Sequence, residues 1–357
     1  MNYRVVVVAV AGLVLTSCGS AASSPLSSTT TSRATTTTTP RATTTTVKEP
    51  SAIFPLTGLP ATKAEASLPA LEVKIDNAPG VAWPQSGINQ ADVVYEEVVE
   101  GGITRYMAIF QSHEAPVVGP VRSVRYSDAL IVAPIGGLFA YSGGIPAFVT
   151  ALHQTGVIDV GANVAGGEYY RNNSRPEPHN LFTSTIALRK FAGSEGKPPP
   201  ELFSYSYSGS GASANPSAHQ VSMPTAIVTM SSVENAQWSW NSSTGLYTRT
   251  TNGVPQVDSS GRPVTTNNVI IEDVPYPLTQ YIDPAGNPVP YANSIGSGDA
   301  YFLIGGKEFA GTWSKPSEFA ITKYTTFSGK RVDLVPGRTW VMFAPIGVGP
   351  VVPSSNG

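Results

Sequence analysis

The chain is nearly without cysteine: Cys18 is the single one among 357 residues. No intramolecular disulfide framework can form, and no paired-cysteine zinc or redox motif exists. Histidine is almost as scarce. His113, His153, His179 and His219 lie far apart and none belongs to a metal-ligand pair such as H-E-x-x-H, so neither a metal nor a cofactor is expected. Charge is sparse too, at 13% of residues with a formal net charge of −2, which gives no electrostatic case for binding nucleic acid or an anionic lipid surface. Nor is any apolar run long enough to cross roughly 30 Å of hydrocarbon as a stable helix.

What is present begins with the placement of that one cysteine. Arg4 precedes a short apolar run over residues 5–15, and Leu15-Thr16-Ser17-Cys18 places small residues directly before the thiol. This is the pattern of a lipoprotein signal, residues 1–18, after which Cys18 becomes a lipid-modified, palmitate-type N-terminus on the extracytoplasmic face of the cell membrane. A cysteine committed to that anchor leaves no nucleophile for a cysteine transpeptidase acting on wall peptides. Residues 19–50 are dominated by Ser and Thr, with little apolar surface to offset the entropy of ordering. They read as a disordered tether reaching roughly 30 Å root-mean-square.

The remaining chain can bury a core but is loop-rich, with 34 Gly and 31 Pro. Its length favours two domains: a mixed α/β unit over 51–203, a Ser/Gly/Ala/Pro-rich linker over 204–218, and a mainly antiparallel β unit over 219–357, an α+β protein overall. Leu71-Glu72-Val73-Lys74-Ile75 alternates as a half-buried strand does. Two apolar runs, 93–99 and 103–110, split by Gly101-Gly102, predict a β-hairpin, because two central glycines would cost a continuous helix about 2 kcal/mol. A helix is expected over 127–132 with Ser127 or Asp128 near its cap, then a strand at 138–141 and a turn at Gly143-Gly144. A second helix over 146–154 has proline in its first turn, and a third, capped by Thr183 or Ser184, runs to about residue 191. Short strands follow at 225–230, 237–240, 246–250, 268–272, 301–304, 308–313, 319–324 and 339–343, with turns at Asn252-Gly253 and Gly305-Gly306.

Several blocks carry a family resemblance. Pro84-Gln85-Ser86-Gly87, Gln90-Ala91-Asp92-Val93-Val94-Tyr95-Glu96, Glu100-Gly101-Gly102-Ile103-Thr104-Arg105 and Gly119-Pro120-Val121-Arg122-Ser123-Val124-Arg125 resemble the YerB-like lipoproteins. Pro178-His179-Asn180-Leu181, Asn268-Val269-Ile270-Ile271 and Leu334-Val335-Pro336-Gly337-Arg338-Thr339-Trp340 extend the likeness, which spans residues 55–345. The resemblance implies a two-domain architecture and a lipid-anchored location, and it transfers no established activity.

Candidate site residues therefore rest on chemistry. Arg122 and Arg125 lie three apart in a charge-poor chain, and Arg105 follows the hairpin turn. Such guanidinium groups bind carboxylate or phosphate, or else pair structurally with Glu96, Glu97, Glu100 or Asp128. Gly143 and Gly144 before a helix offer a second anion-binding feature. His179 with Asn180, in a polar loop, can act as acid, base or ligand or can fix the loop by hydrogen bonds. Asp92, Glu96 and Glu100 share a face if the strand continues through them, but four residues of strand span about 13 Å. A glycan-hydrolase pair needs roughly 5 to 9.5 Å, so a second acid such as Asp76 or Glu177 would have to join Glu96 or Glu100. Ser142 sits at a strand-to-helix turn without the G-x-S-x-G frame. Trp238 and Trp240, with Tyr247 across the turn, make a sugar-stacking platform if exposed and ordinary core if buried. The leading expectation is an envelope binding or scaffold module recognising an anionic or glycan-like component through Arg105, Arg122, Arg125 and the His179 loop. A wall-glycan hydrolase and a docking module for another envelope protein are the alternatives.

Overall fold

The structure is a computed structural model, and it describes residues 52–207 and 219–351. The signal, Cys18, the tether and most of the expected linker lie outside the described residues.

An 11-stranded sheet organises the body. Its strands run in the order Lys323–Thr326, Lys307–Lys315, Gly296–Ile304, Asn268–Val274, Thr339–Pro345, Val93–Val98, Thr104–Phe110, Leu71–Asp76, Leu138–Ala140, Ile158–Asp159, with Val221–Ser222 paired beside Lys307–Lys315. The Val93–Val98 and Thr104–Phe110 hairpin forms as expected, because Gly101 and Gly102, at φ +72° and +76°, supply a turn that residues with a Cβ rarely adopt. Strands from either side of residues 204–218 share this sheet. They meet where Thr339–Pro345 pairs in parallel with Val93–Val98 on one side and with Asn268–Val274 on the other. The chain's second half is therefore not purely antiparallel: its last strand closes a parallel junction at the centre of the sheet.

Both faces of the sheet are covered. Helices Tyr126–Val132 and Pro146–Gln154 pack Ile131, Val132, Phe148 and Leu152 against Val93, Met107, Ile109 and Phe139. On the opposite face a five-stranded sheet, including Thr225–Thr229, Asn235–Asn241 and Leu246–Thr251, packs Trp238 and Tyr247 with Ile271 and Trp340. This double coverage is why Leu71–Asp76 is buried along its whole length instead of half-buried. It lies between Thr104–Phe110 and Leu138–Ala140, and even Glu72 and Lys74 are inside. Mostly strand with few helices, the body is of the mixed α and β kind. The strand expected over 319–324 forms only as Lys323–Thr326, since the chain turns at Ser317 and leaves Phe319 exposed.

Candidate functional site

The hairpin sorts its charged residues onto two faces because successive strand residues point opposite ways. Glu97, Arg105 and Asp76 stand in one register row on the helix-covered side, with Lys74 two residues from Asp76. Glu96 pairs in register with Tyr106 and points to the other side. Glu100 leaves the strand altogether, in the 3₁₀ turn Glu100–Gly102. Asp92 precedes the strand and accepts from the backbone N–H of Gln111 at 2.6 Å and Ser112 at 2.7 Å. The common acidic face that continuous strand geometry would give Asp92, Glu96 and Glu100 does not form.

On the helix side, Glu100 gathers two of the arginines. Arg125 Nε donates to its Oε2 at 2.7 Å and Arg125 Nη2 to Oε1, while Arg105 Nη2 donates to Oε1 at 3.3 Å. Both guanidinium groups also reach the Ser123 carbonyl, Arg105 at 3.2 Å and Arg125 at 3.4 Å. Burial holds the Arg105 and Arg125 guanidinium groups below their usual range. Lys74, fully buried, bridges Glu97 and Asp128, the latter at 2.6 Å. Asp128 also accepts from the Arg125 backbone N–H at 2.6 Å, anchoring the start of its helix, and burial pushes its carboxyl up to about 6 against the pull of Lys74. The third arginine is separate. Arg122 Nε lies 3.2 Å from Asp76 Oδ2, and the same oxygen is 2.6 Å from His179 Nδ1.

Lys74, Arg105, Arg122 and Arg125 thus face Asp76, Glu97, Glu100 and Asp128 in equal number. Arg105 and Arg125 are spent inside this balance. Arg122, 16% exposed, and His179, 20% exposed, reach the surface. Arg122 Nη1 donates to the Pro178 carbonyl at 3.3 Å, and neither Arg122 Nη2 nor His179 Nε2 makes a hydrogen bond among the described residues. Neighbouring arginines hold the His179 loop in place: Arg171 donates to Asn180 Oδ1 at 2.7 Å, and Arg175 to the carbonyls of Ala82 at 2.8 Å and Pro84 at 2.6 Å. Glu177 pairs with Arg171 at 3.3 Å on the exposed side. Asn180 is buried and structural. Ser142 and Gly143 run beside the arginine segment, Ser142 N–H donating to the Arg122 carbonyl and Val124 N–H to the Gly143 carbonyl, both at 2.9 Å. Gly144 is needed there because a Cβ would stand 2.4 Å from Val124 Cγ1. The glycine pair therefore positions the arginine-bearing segment.

The opposite face holds a network that the chain's linear pattern did not point to. Glu96 Oε1 accepts from Arg249 Nη2 at 2.7 Å and Oε2 from Trp340 Nε1 at 2.9 Å. Arg249 lies against the rings of Tyr106, Trp238 and Trp340 at 5.7, 5.3 and 5.0 Å. Thr104 Oγ1 is 2.9 Å from Glu96 Oε1 and 3.0 Å from Glu234 Oε1, with Asn77 Nδ2 at 2.8 Å. One hydroxyl proton cannot serve two carboxylates, and a proton on Glu234 completes the set. Burial, aided by the nearby Glu96, pushes the Glu234 carboxyl up to about 7. The only hint in the sequence was parity: Arg249 alternates in phase with the buried Tyr247 and Thr251. Trp238 is wholly buried and Trp240 packs on Tyr247 at 4.8 Å, so these rings are core.

The comparisons agree with this architecture. Residues 56–197 match the model of the N-terminal domain of a protein family of unknown function, DUF3048, and residues 226–341 match its C-terminal domain. The protein named "Putative lipoprotein YerB" from Bacillus subtilis (strain 168) is 28% identical over 299 residues, covering 82% of this chain and 86% of that protein. A crystal structure of YerB from Bacillus subtilis superposes with a TM-score of 0.68 at 25% identity, over 82% of this chain and 97% of that one. The chain belongs to this YerB-like family.

Proposed function

We propose that the protein is a lipid-anchored envelope protein of the extracytoplasmic membrane face, whose body binds an anionic component of the cell envelope at Arg122 and His179. The lipobox ending in Cys18 and the lipoprotein name of the Bacillus relative support the anchor, and no helix among the described residues is long and apolar enough to cross a membrane. On this reading 51–203 forms the helix-bearing part of the body, 219–357 its β-rich part, and residues 19–50 hold both off the membrane. The observation that carries the binding site is the sharing of Asp76 Oδ2 by two partly exposed groups, each with a nitrogen still uncommitted. A carboxylate or phosphate meeting Arg122 Nη2 and His179 Nε2 gains hydrogen bonds without breaking the Glu100 cluster behind them.

The hydrolase reading is weaker. Glu96 is fully buried with both oxygens committed, and Glu100 is held by two arginines, so neither meets a substrate. The test is retention on isolated cell-wall fractions. Arg122→Ala, which leaves the Glu100 and Lys74 ion pairs intact and Asp76 still held by His179, is expected to lose retention while remaining folded; unchanged retention refutes the site.

A further inference from the structure

Lys315 ends the strand Lys307–Lys315 with its side chain 3% exposed, yet it forms no ion pair among the described residues. Its ammonium donates to the Leu130 carbonyl, which uses one of three N–H groups. Beside it, Ser294 Oγ is buried with no hydrogen-bond partner. Both line a cavity of about 20 Å³, walled by Tyr95, Leu202, Tyr324 and Phe343. A second cavity of about 480 Å³ shares Leu202, Ile321, Thr322 and Tyr324 as walls and adds Phe203 and Val332, with the charged Glu201, Lys323 and Arg331 also in its lining. Glu272 and Glu318 are near enough to favour the charge of Lys315 but neither touches it, and a buried ammonium with two unfilled N–H groups is costly unless something else satisfies them.

We propose that these two cavities form a second binding site, taking a molecule with an apolar body and a carboxylate head, the head oxygen meeting Lys315 Nζ and Ser294 Oγ and the body filling the larger cavity. The inner space suits one oxygen-sized group, since a water needs about 10–15 Å³ measured this way, and it is too small for a phosphate. Burial pushes the Lys315 ammonium down to about 8, which leaves it protonated at neutral pH. Glu272, which accepts from Tyr324 Oη at 2.7 Å, is pushed up to about 7 by its own burial and so only partly opposes an incoming anion.

The test uses octanoate as probe and octylammonium, with the same tail length and opposite charge, as control. Calorimetric titration is made on the full-length chain carrying Cys18→Ala, so that no attached acyl group competes. Saturable one-to-one binding of octanoate and none of octylammonium is expected. Lys315→Met is expected to weaken octanoate by about tenfold or more, the loss of a charge-assisted hydrogen bond. Val332→Trp, which fills the larger cavity, is expected to weaken it as well. Should Lys315→Met not fold, Ser294→Ala replaces it, with a smaller expected loss. Absence of saturable octanoate binding, equal binding of both probes, or octanoate held equally by these variants overturns the proposal; that is also the outcome if the inner cavity holds one ordered water only.

Discussion

Replacing Glu96 by Gln tests the reading of the buried Glu96–Arg249 pair most directly. The substitution keeps volume but removes the charge opposite a guanidinium that is 1% exposed and enclosed by three aromatic rings. It also presents an amide N–H₂ where Arg249 and Trp340 both donate. Removing one partner of a buried ion pair costs about 3–5 kcal/mol. The lower end applies here, because Glu234 sits across Thr104 with its carboxyl at about 7 and can ionise in Glu96's place. About 3 kcal/mol in a body of roughly 300 residues lowers Tm by about 5 °C and shifts the urea midpoint by about 1 M. Tryptophan emission is a suitable probe, since Trp238 and Trp340 flank Arg249. Adding Glu234→Gln removes the substitute acid and should raise the loss to about 5 kcal/mol. Adding Arg249→Met instead should restore part of it, because a cation no longer lies buried alone. A Glu96→Gln loss under about 1 kcal/mol, or strict additivity with Arg249→Met, would refute the argument.

Glu234 carries a pH signature of its own. Its carboxyl rises from 4.5 to about 7 on folding, so the folded state binds the proton more tightly and this contribution is complete below pH 4.5 and lost as pH rises to about 7. Glu234→Gln should flatten the decline of unfolding free energy over that range by about 3 kcal/mol, leaving the same-signed share of Glu272; an unchanged slope in urea titrations argues against a protonated Glu234. Gly137→Ala should cost more than about 2 kcal/mol, because φ is +98° and the new Cβ would stand 2.4 Å from the Ala70 carbonyl oxygen; a near-neutral melt would show that this approach relaxes freely. Cys18→Ala should move the protein from the membrane fraction to the soluble extract after cell fractionation, and persistence in the membrane would remove the lipid as its anchor.

Local signals in the chain located most elements. Gly101-Gly102 announced the hairpin, Pro146 began its helix at the expected residue, and Asn252-Gly253 turned the strand Leu246–Thr251 back on itself. Long-range pairing stayed hidden. Nothing near Thr339 announces that it will lie in parallel beside Val93, and nothing near Leu71 shows that helices and strands from distant segments will cover both its faces. The candidate site followed the same division. That Arg105, Arg122 and Arg125 matter together was legible from their scarcity and spacing. That Glu100 would absorb two of them depended on a turn lifting it out of strand geometry, and the Glu96–Arg249 pair joins residues 153 apart. Lys315 gave no signal at all, since its burial is created by Leu130, Leu202 and Tyr324 from elsewhere in the chain.

The seam at Thr339–Pro345 bears on how the chain reaches this fold. That segment follows both of its partners along the chain, and until it inserts each of them keeps an unsatisfied backbone edge. Neither half can finish its assembly ahead of the other, so the central sheet closes only when this one strand is in place between them. Loss of Thr339–Pro345 would open the middle of the sheet, not its margin.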